Sequence, residues 1–238
     1  MIHAYCIRYG VDPAPDAGLV GIDGAEVCVL RTGKIGLWVS ESAGSGVSIH
    51  RLREHDKVVT AALTTATPLP VRFGTCFRDE ASALGAMAQR EADFLADLAR
   101  VAGCVEMGVR VGWQVDDEPT CAPNSDRQPT SGTEYLEMRR LRANRVKDLK
   151  LRAAEVLTEI EKAMQLEGVP VVRSILPVRE LAGILAHLVQ RTEIGSYRAA
   201  VDAAKSITQH LTLATTGPWA PYSFVGADGG YHFGPTDT

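Results

Sequence analysis

The sequence predicts an α+β protein of two domains: an N-terminal α+β domain over 1–102 and a C-terminal ferredoxin-like domain (βαββαβ) over 103–238, with a long helix and a polar loop. Three observations predict it. Residues 104–113 alternate strictly, with Val105, Met107, Val109, Val111 and Trp113 on one side and Cys104, Glu106, Gly108, Arg110 and Gly112 on the other. From there the periodicities run strand, helix, strand, strand, helix, strand, the split βαβ order. The preceding hundred residues carry a hairpin and two helical stretches of their own.

In chain order, residues 2–8 read as a first strand, followed by a loop holding Gly10, Pro13, Pro15 and Gly18. Residues 25–30 and 35–39 form a hairpin whose turn, Arg31-Thr32-Gly33-Lys34, contains a glycine free to take positive φ. After the small residues of 41–47, a helix starts near Ser48 with Ile49, Leu52, Val59 and Leu63 on its apolar face. It stops before Pro68-Leu69-Pro70. Residues 71–74 are extended. A second helix covers 79–101, with Asp79 and Glu80 at its positive end and Leu84, Met87, Leu95, Leu98 and Val101 buried.

Residues 114–130 are polar and hold three prolines, so they form a loop. A long helix runs over 131–167, opened by the capping box Ser131-Gly132-Thr133-Glu134 and ended by Gly168-Val169-Pro170. Strands follow at 171–176 and at 181–190, the second apolar on both faces and therefore central. A helix over 193–210 turns Ile194, Tyr197, Val201, Ala204 and Ile207 to one side, and residues 211–216 form the last strand.

Composition narrows the function. The 238 residues are 45% hydrophobic, only 6% aromatic, and carry a net charge of -4, which argues against nucleic acid as a partner. The five cysteines (Cys6, Cys28, Cys76, Cys104, Cys121) are odd in number and widely spaced, unlike a disulfide framework or zinc site. No apolar h-region opens the chain, and no apolar run reaches the roughly 20 residues of a bilayer span. The expectation is a cytoplasmic protein with reduced thiols and no membrane partner.

No catalytic constellation, cofactor-binding motif or metal-ligand spacing is visible. Gly44-Ser45-Gly46 lacks the third glycine of a dinucleotide fingerprint, since Ile49 stands there, and reads as a linker. None of the histidines (His3, His50, His55, His187, His210, His232) has ligand spacing, and His187 in an apolar strand reads as a satisfied, partly buried imidazole. Asp116-Asp117-Glu118 reads as a solvated acidic loop. Glu106 and Arg110 lie about 13 Å apart along their strand, too far to pair, so each is either a surface group or bonded to neighbouring elements.

One charged stretch stands out. Arg139, Arg140, Arg142, Arg145, Lys147, Lys150 and Arg152 crowd the front of the long helix, interrupted only by Asp148. They make either a solvated face, with Leu136, Leu141, Val146 and Leu149 turned inward, or a docking surface for an acidic partner.

Three stretches taken together resemble a known family. They are His55-Asp56 with Pro68-Leu69-Pro70-Val71-Arg72-Phe73-Gly74-Thr75-Cys76-Phe77; Val105 to Val111 with Ser131 to Leu136 and Arg139-Arg140; and Gly217-Pro218-Trp219-Ala220-Pro221-Tyr222-Ser223-Phe224-Val225. In this order they resemble the GvpF/GvpL family of gas-vesicle proteins. The resemblance implies an accessory protein that helps build gas vesicles and contacts the small hydrophobic shell subunit and other accessory proteins. It implies two α+β domains, the second modified ferredoxin-like with 114–130 as its variable part, and no catalytic residue or cofactor. Arg72 then reads as a structural ion pair or a partner contact. Trp219, Tyr222 and Phe224 read as a tether of the tail or as aromatic anchors for a partner. A small-ligand or enzymatic module on a ferredoxin-like scaffold is the alternative, because that fold hosts many functions. A third reading, an RNA binder using the basic helix, is opposed by the net charge.

Overall fold

Strand β1 (Ile2–Tyr9) is the centre of the first sheet. The computed structural model describes residues 1–44, 46–113, 132–178, 180–226 and 230–231. Along β1 pair β3 (Ile35–Glu41) on one side, and β4 (Leu69–Pro70) and β5 (Cys76–Phe77) on the other. Strand β2 (Cys28–Thr32) joins β3 through the expected tight hairpin, register Leu30↔Leu37, with Gly33 at φ +50°. Every pair in this sheet is antiparallel.

Both faces of β1 are covered. Ala4 and Ile7 enter one apolar cluster, and Tyr5 and Cys6 another. A strict two-residue alternation would not put neighbours Tyr5 and Cys6 together. The β1–β3 register shifts between Ala4 and Cys6, and such a bulge re-aims one side chain. Helix α1 (Ile49–Thr65), capped by the Ser48 hydroxyl accepting from Arg51 N–H, supplies Val58, Val59 and Ala62 to the Tyr5 side. Its N-terminal Ile49 and Leu52 are exposed, contrary to the expected stripe, and His55 is buried in their stead.

The predicted helix over 79–101 is two helices, α2 (Glu80–Gln89) and α3 (Glu91–Val101). Arg90 breaks it at φ -123°, ψ 16°, with its guanidinium over the Phe94 and Tyr231 rings. No Gly or Pro marks this break, so periodicity alone runs straight through it. Ala83 and Met87 from α2 and Phe94, Leu98 and Val101 from α3 fill the cluster on the Ala4 face, with Leu84 and Leu95 only partly buried. Asp79 and Ser82 form a reciprocal capping box.

The second sheet has the order β7-β8-β6-β9, from β6 (Cys104–Trp113), β7 (Val171–Val178), β8 (Leu181–Gln190) and β9 (Leu211–Trp219). The alternation read along β6 is real: Val105, Met107, Val109, Val111 and Trp113 are all buried. On its other face Gly108 and Gly112 permit close approach, since a Cβ there would lie 2.4 Å from Thr216 Oγ1 and 2.3 Å from Thr212 Oγ1. Strand β8 is central, as its apolar faces predicted, and pairs antiparallel with β7 from Val171↔His187 to Val178↔Leu181.

Helix α4 (Gly132–Met164) and helix α5 (Ile194–Ile207) contact one another. From α4, Ala153, Val156, Leu157, Ile160 and Met164 are buried; from α5, Tyr197, Val201 and Ala204, while Ile207 is exposed. Ser131, the expected cap of α4, lies outside the described residues, as do 114–130 with Asp116-Asp117-Glu118 and Cys121.

The chain divides into two compact units, one of 1–107, 188–191 and 217–238, the other of 108–187 and 192–216. The fold is thus mixed α+β with two sheets. Among the described residues no helix is long and apolar enough to cross a membrane, and Cys6, Cys28 and Cys76 are free thiols.

Candidate partner-docking surfaces

Helix α4 changes character along its length. Behind residue 153 its apolar side chains are buried; ahead of it Tyr135, Leu136, Leu141, Val146 and Leu151 are exposed, with Leu149 half-buried. The inward packing expected of Leu136, Leu141 and Val146 does not occur. Among the described residues no layer of its unit lies against this part of the helix, and periodicity alone could not tell a core stripe from an uncovered one. Arg139, Arg140, Arg145, Lys147, Lys150 and Arg152 are exposed beside these apolar groups, and the Arg142 side chain lies outside the described ones. Arg152 stacks over the Trp113 ring, 5.1 Å from its centroid.

The second exposed apolar surface is β7, an edge strand whose Val171, Val172, Ile175, Leu176 and Val178 are all exposed. Such an edge offers unpaired N–H and C=O groups together with apolar side chains. Arg173 on β7 makes a two-pronged ion pair with Glu161 of α4.

Arg72 sits where its motif bends. Its backbone N–H donates to Tyr231 O (2.8 Å), and its carbonyl accepts from Thr75 N–H and Oγ1. The guanidinium is exposed and makes no ion pair among the described residues. The backbone of Arg72 thus holds the turn and its charge faces outward.

The aromatic tail is tied into the first unit. Glu106 accepts from Ser223 N–H (2.7 Å) and Oγ (2.8 Å), and Arg100 donates to Phe224 O (2.7 Å). Burial pushes the Glu106 carboxyl up, against the pull of the Ser223 bonds. Of the two sequence readings for Glu106, bonding to a neighbouring element is the one observed. Phe224 packs on the Ala4-side cluster and Tyr222 on the Tyr5-side cluster, whereas Trp219 is 45% exposed.

Sequence reasoning missed a buried polar cluster beneath Tyr222. His55 Nε2 lies 3.1 Å from Val71 O and therefore carries its proton, since a carbonyl only accepts. His55 Nδ1 is then an acceptor, filled by His3 Nε2 at 2.9 Å, and His3 Nδ1 faces Cys76 Sγ at 3.5 Å. Tyr222 Oη lies 3.4 Å from His55 Nε2. Burial, then the Arg51 charge, holds His3 down at about 4, with Asp23 opposing; burial and then His3 hold His55 at about 3. Spacing gave no signal for this cluster, because residues 3, 55, 76 and 222 meet only through the sheet.

The other histidines do as expected or lie on the surface. His187 is buried, its Nδ1 3.0 Å from Tyr197 Oη. His50 and His210 pair with Glu54 and Glu159, and His232 lies outside the described residues. Among the described residues no group of three or more His, Cys, Asp or Glu could hold a metal. The Gly44 and Gly46 carbonyls accept from Arg51 and the Gly44 N–H is taken by Ser42 Oγ, so this stretch does not present the free N–H groups of a phosphate cradle.

Residues 1–226 match the family model described as gas vesicle synthesis protein GvpL/GvpF. Gas vesicle protein L of Streptomyces sp. (strain CB03234) is 32% identical over 196 residues, covering 73% of this chain and 68% of that protein. Gas vesicle protein F of the same strain is 27% identical over 186 residues, covering 73% and 76%. Crystal structures of GvpF from Anabaena sp. PCC7120 (TM-score 0.71, 20% identity, 98% of each chain) and from Microcystis aeruginosa (TM-score 0.70, 19% identity, 94% of this chain and 98% of that one) share the fold.

Proposed function

This chain belongs to the gas vesicle synthesis protein GvpL/GvpF family, and on that premise we propose that it is a cytoplasmic accessory protein of gas vesicle assembly that contacts the small hydrophobic shell subunit. The observation that carries the reading is the open edge of β7, with five exposed apolar side chains. A subunit that lines a gas space carries an apolar face that aggregates unless covered. An apolar edge strand can cover part of it by adding a strand of the partner through main-chain bonds. The seat lies in the region 103–238, which we read as a modified ferredoxin-like domain beside an N-terminal domain of 1–102. The element order β6-α4-β7-β8-α5-β9 and the sheet order support that reading.

The exposed Arg72 and Trp219 are candidate contacts to the shell subunit or to other accessory proteins. Tyr222 and Phe224, half-buried in the first unit, support the tail that presents Trp219. The test is co-expression of the full chain with the major shell subunit and recovery on a tag. The wild type is expected to retain the subunit, and Val172→Lys combined with Leu176→Lys, both exposed, to lose it. Equal recovery with that variant would overturn the β7 seat.

A further inference from the structure

The core stripe of α4 does not end where its cover ends. Positions 149, 153, 156, 160 and 164 follow the helical repeat, and from Ala153 to Met164 they are buried. Continued toward the N-terminus, the same stripe passes through Val146, position 142, Met138 and Tyr135. Tyr135 is 52% and Val146 48% exposed. The uncovered stripe from Tyr135 to Leu149 spans about 21 Å at 1.5 Å per residue.

Charge flanks it on both sides. At 100° per residue Arg139 and Lys150 fall along one border and Arg145 and Arg152 along the other, where the e and g residues of a paired helix lie. Residues 135–152 hold seven Lys and Arg against Glu137 and Asp148, a local charge of +5 in a chain of -4.

We infer that the uncovered front of α4 is a docking site for an acidic amphipathic helix of a partner, paired along Tyr135, Met138, Val146 and Leu149 and held by carboxylates opposite Arg139, Arg145 and Lys150. A second copy of this chain is the wrong occupant, because pairing α4 with itself sets like charges across both borders. An anionic membrane is also disfavoured: the apolar stripe is narrow, and Arg139, Arg145, Lys150 and Arg152 edge it closely. The inference does not rest on the β7 seat, which is another surface with another partner chemistry.

The test uses the full chain and two synthetic helical peptides of about three heptads with leucine on the seam, one flanked by glutamate and one by lysine. By fluorescence anisotropy the glutamate peptide is expected to bind and the lysine peptide not. Arg139→Glu, Arg145→Glu and Lys150→Glu together, all at exposed positions, are expected to weaken the glutamate peptide by about ten-fold or more and to admit the lysine peptide. That gain of binding shows that the variant remains folded. Val172→Lys with Leu176→Lys is expected to leave peptide binding unchanged, so failure here and failure of the β7 seat are separate results. Equal binding of both peptides, or no effect of charge reversal, overturns the inference. Binding of phosphatidylserine vesicles without peptide binding overturns it in favour of a membrane surface, and a dimer abolished by Val146→Glu overturns it in favour of a second copy.

Discussion

His3 and His55 meet ring nitrogen to ring nitrogen, 2.9 Å apart, in the interior of the first unit, with His3 donating and His55 accepting. The arrangement exists only while the His55 imidazole is neutral. A proton on His55 Nδ1 would turn the acceptor into a donor facing a donor.

Stability is therefore expected to fall in acid. The folded pKa values of His3 (about 4), His55 (about 3) and His187 (about 4) lie below the ordinary 6.5. Between pH 6.5 and about 4 the unfolded chain binds protons that the folded chain refuses, so stability is full above 6.5 and declines as pH falls. Each imidazole removes roughly 2–3 kcal/mol over that window. Urea midpoints measured from pH 7 to pH 4 check this; a flat profile contradicts the cluster. Around His3 and His55 the facing groups are Arg51, Asp23, Cys76, Tyr5 and Tyr222; near His187 they are Tyr197 and Glu161.

Glu106→Ala leaves Ser223 N–H and Oγ without their acceptor and is expected to cost about 1–3 kcal/mol. The loss should release the tail, read as faster proteolysis after residue 219 while the rest of the chain stays protected. Uniform protection would show that Arg100 alone suffices.

Gly21→Ala is expected to destabilise by about 1–3 kcal/mol. The added methyl would lie 2.1 Å from Tyr5 Oη, which accepts from Ile22 N–H and bonds Ser40 Oγ. Thermal melting compared with Gly44→Ala, where nothing lies within 4 Å, isolates this contact.

Phe94→Ala removes a fully buried ring and is expected to cost about 3–5 kcal/mol. Leu136→Ala and Leu141→Ala, on the uncovered front of α4, are expected to stay within about 0.5 kcal/mol. A large loss at Leu141 would mean that the helix front is covered in the isolated protein.

The residues alone determine much of this fold. The alternation of β6, the hairpin around Gly33, the apolar β8 and the basic run on α4 are consequences of local period and local charge. The GPWxPYSFV stretch and the LPVRFGT stretch likewise carry the family in the sequence itself. The break at Arg90 is different, because only packing of its guanidinium on Phe94 and Tyr231 marks it. The joining of Tyr5 with Cys6 on one face depends on a bulge against β3, and the meeting of His3, His55, Cys76 and Tyr222 on strand pairing across long sequence separations. The uncovering of Leu136, Leu141 and Val146 is also tertiary. Periodicity says which side chains share a face, and only the placement of neighbouring layers says whether anything lies against it.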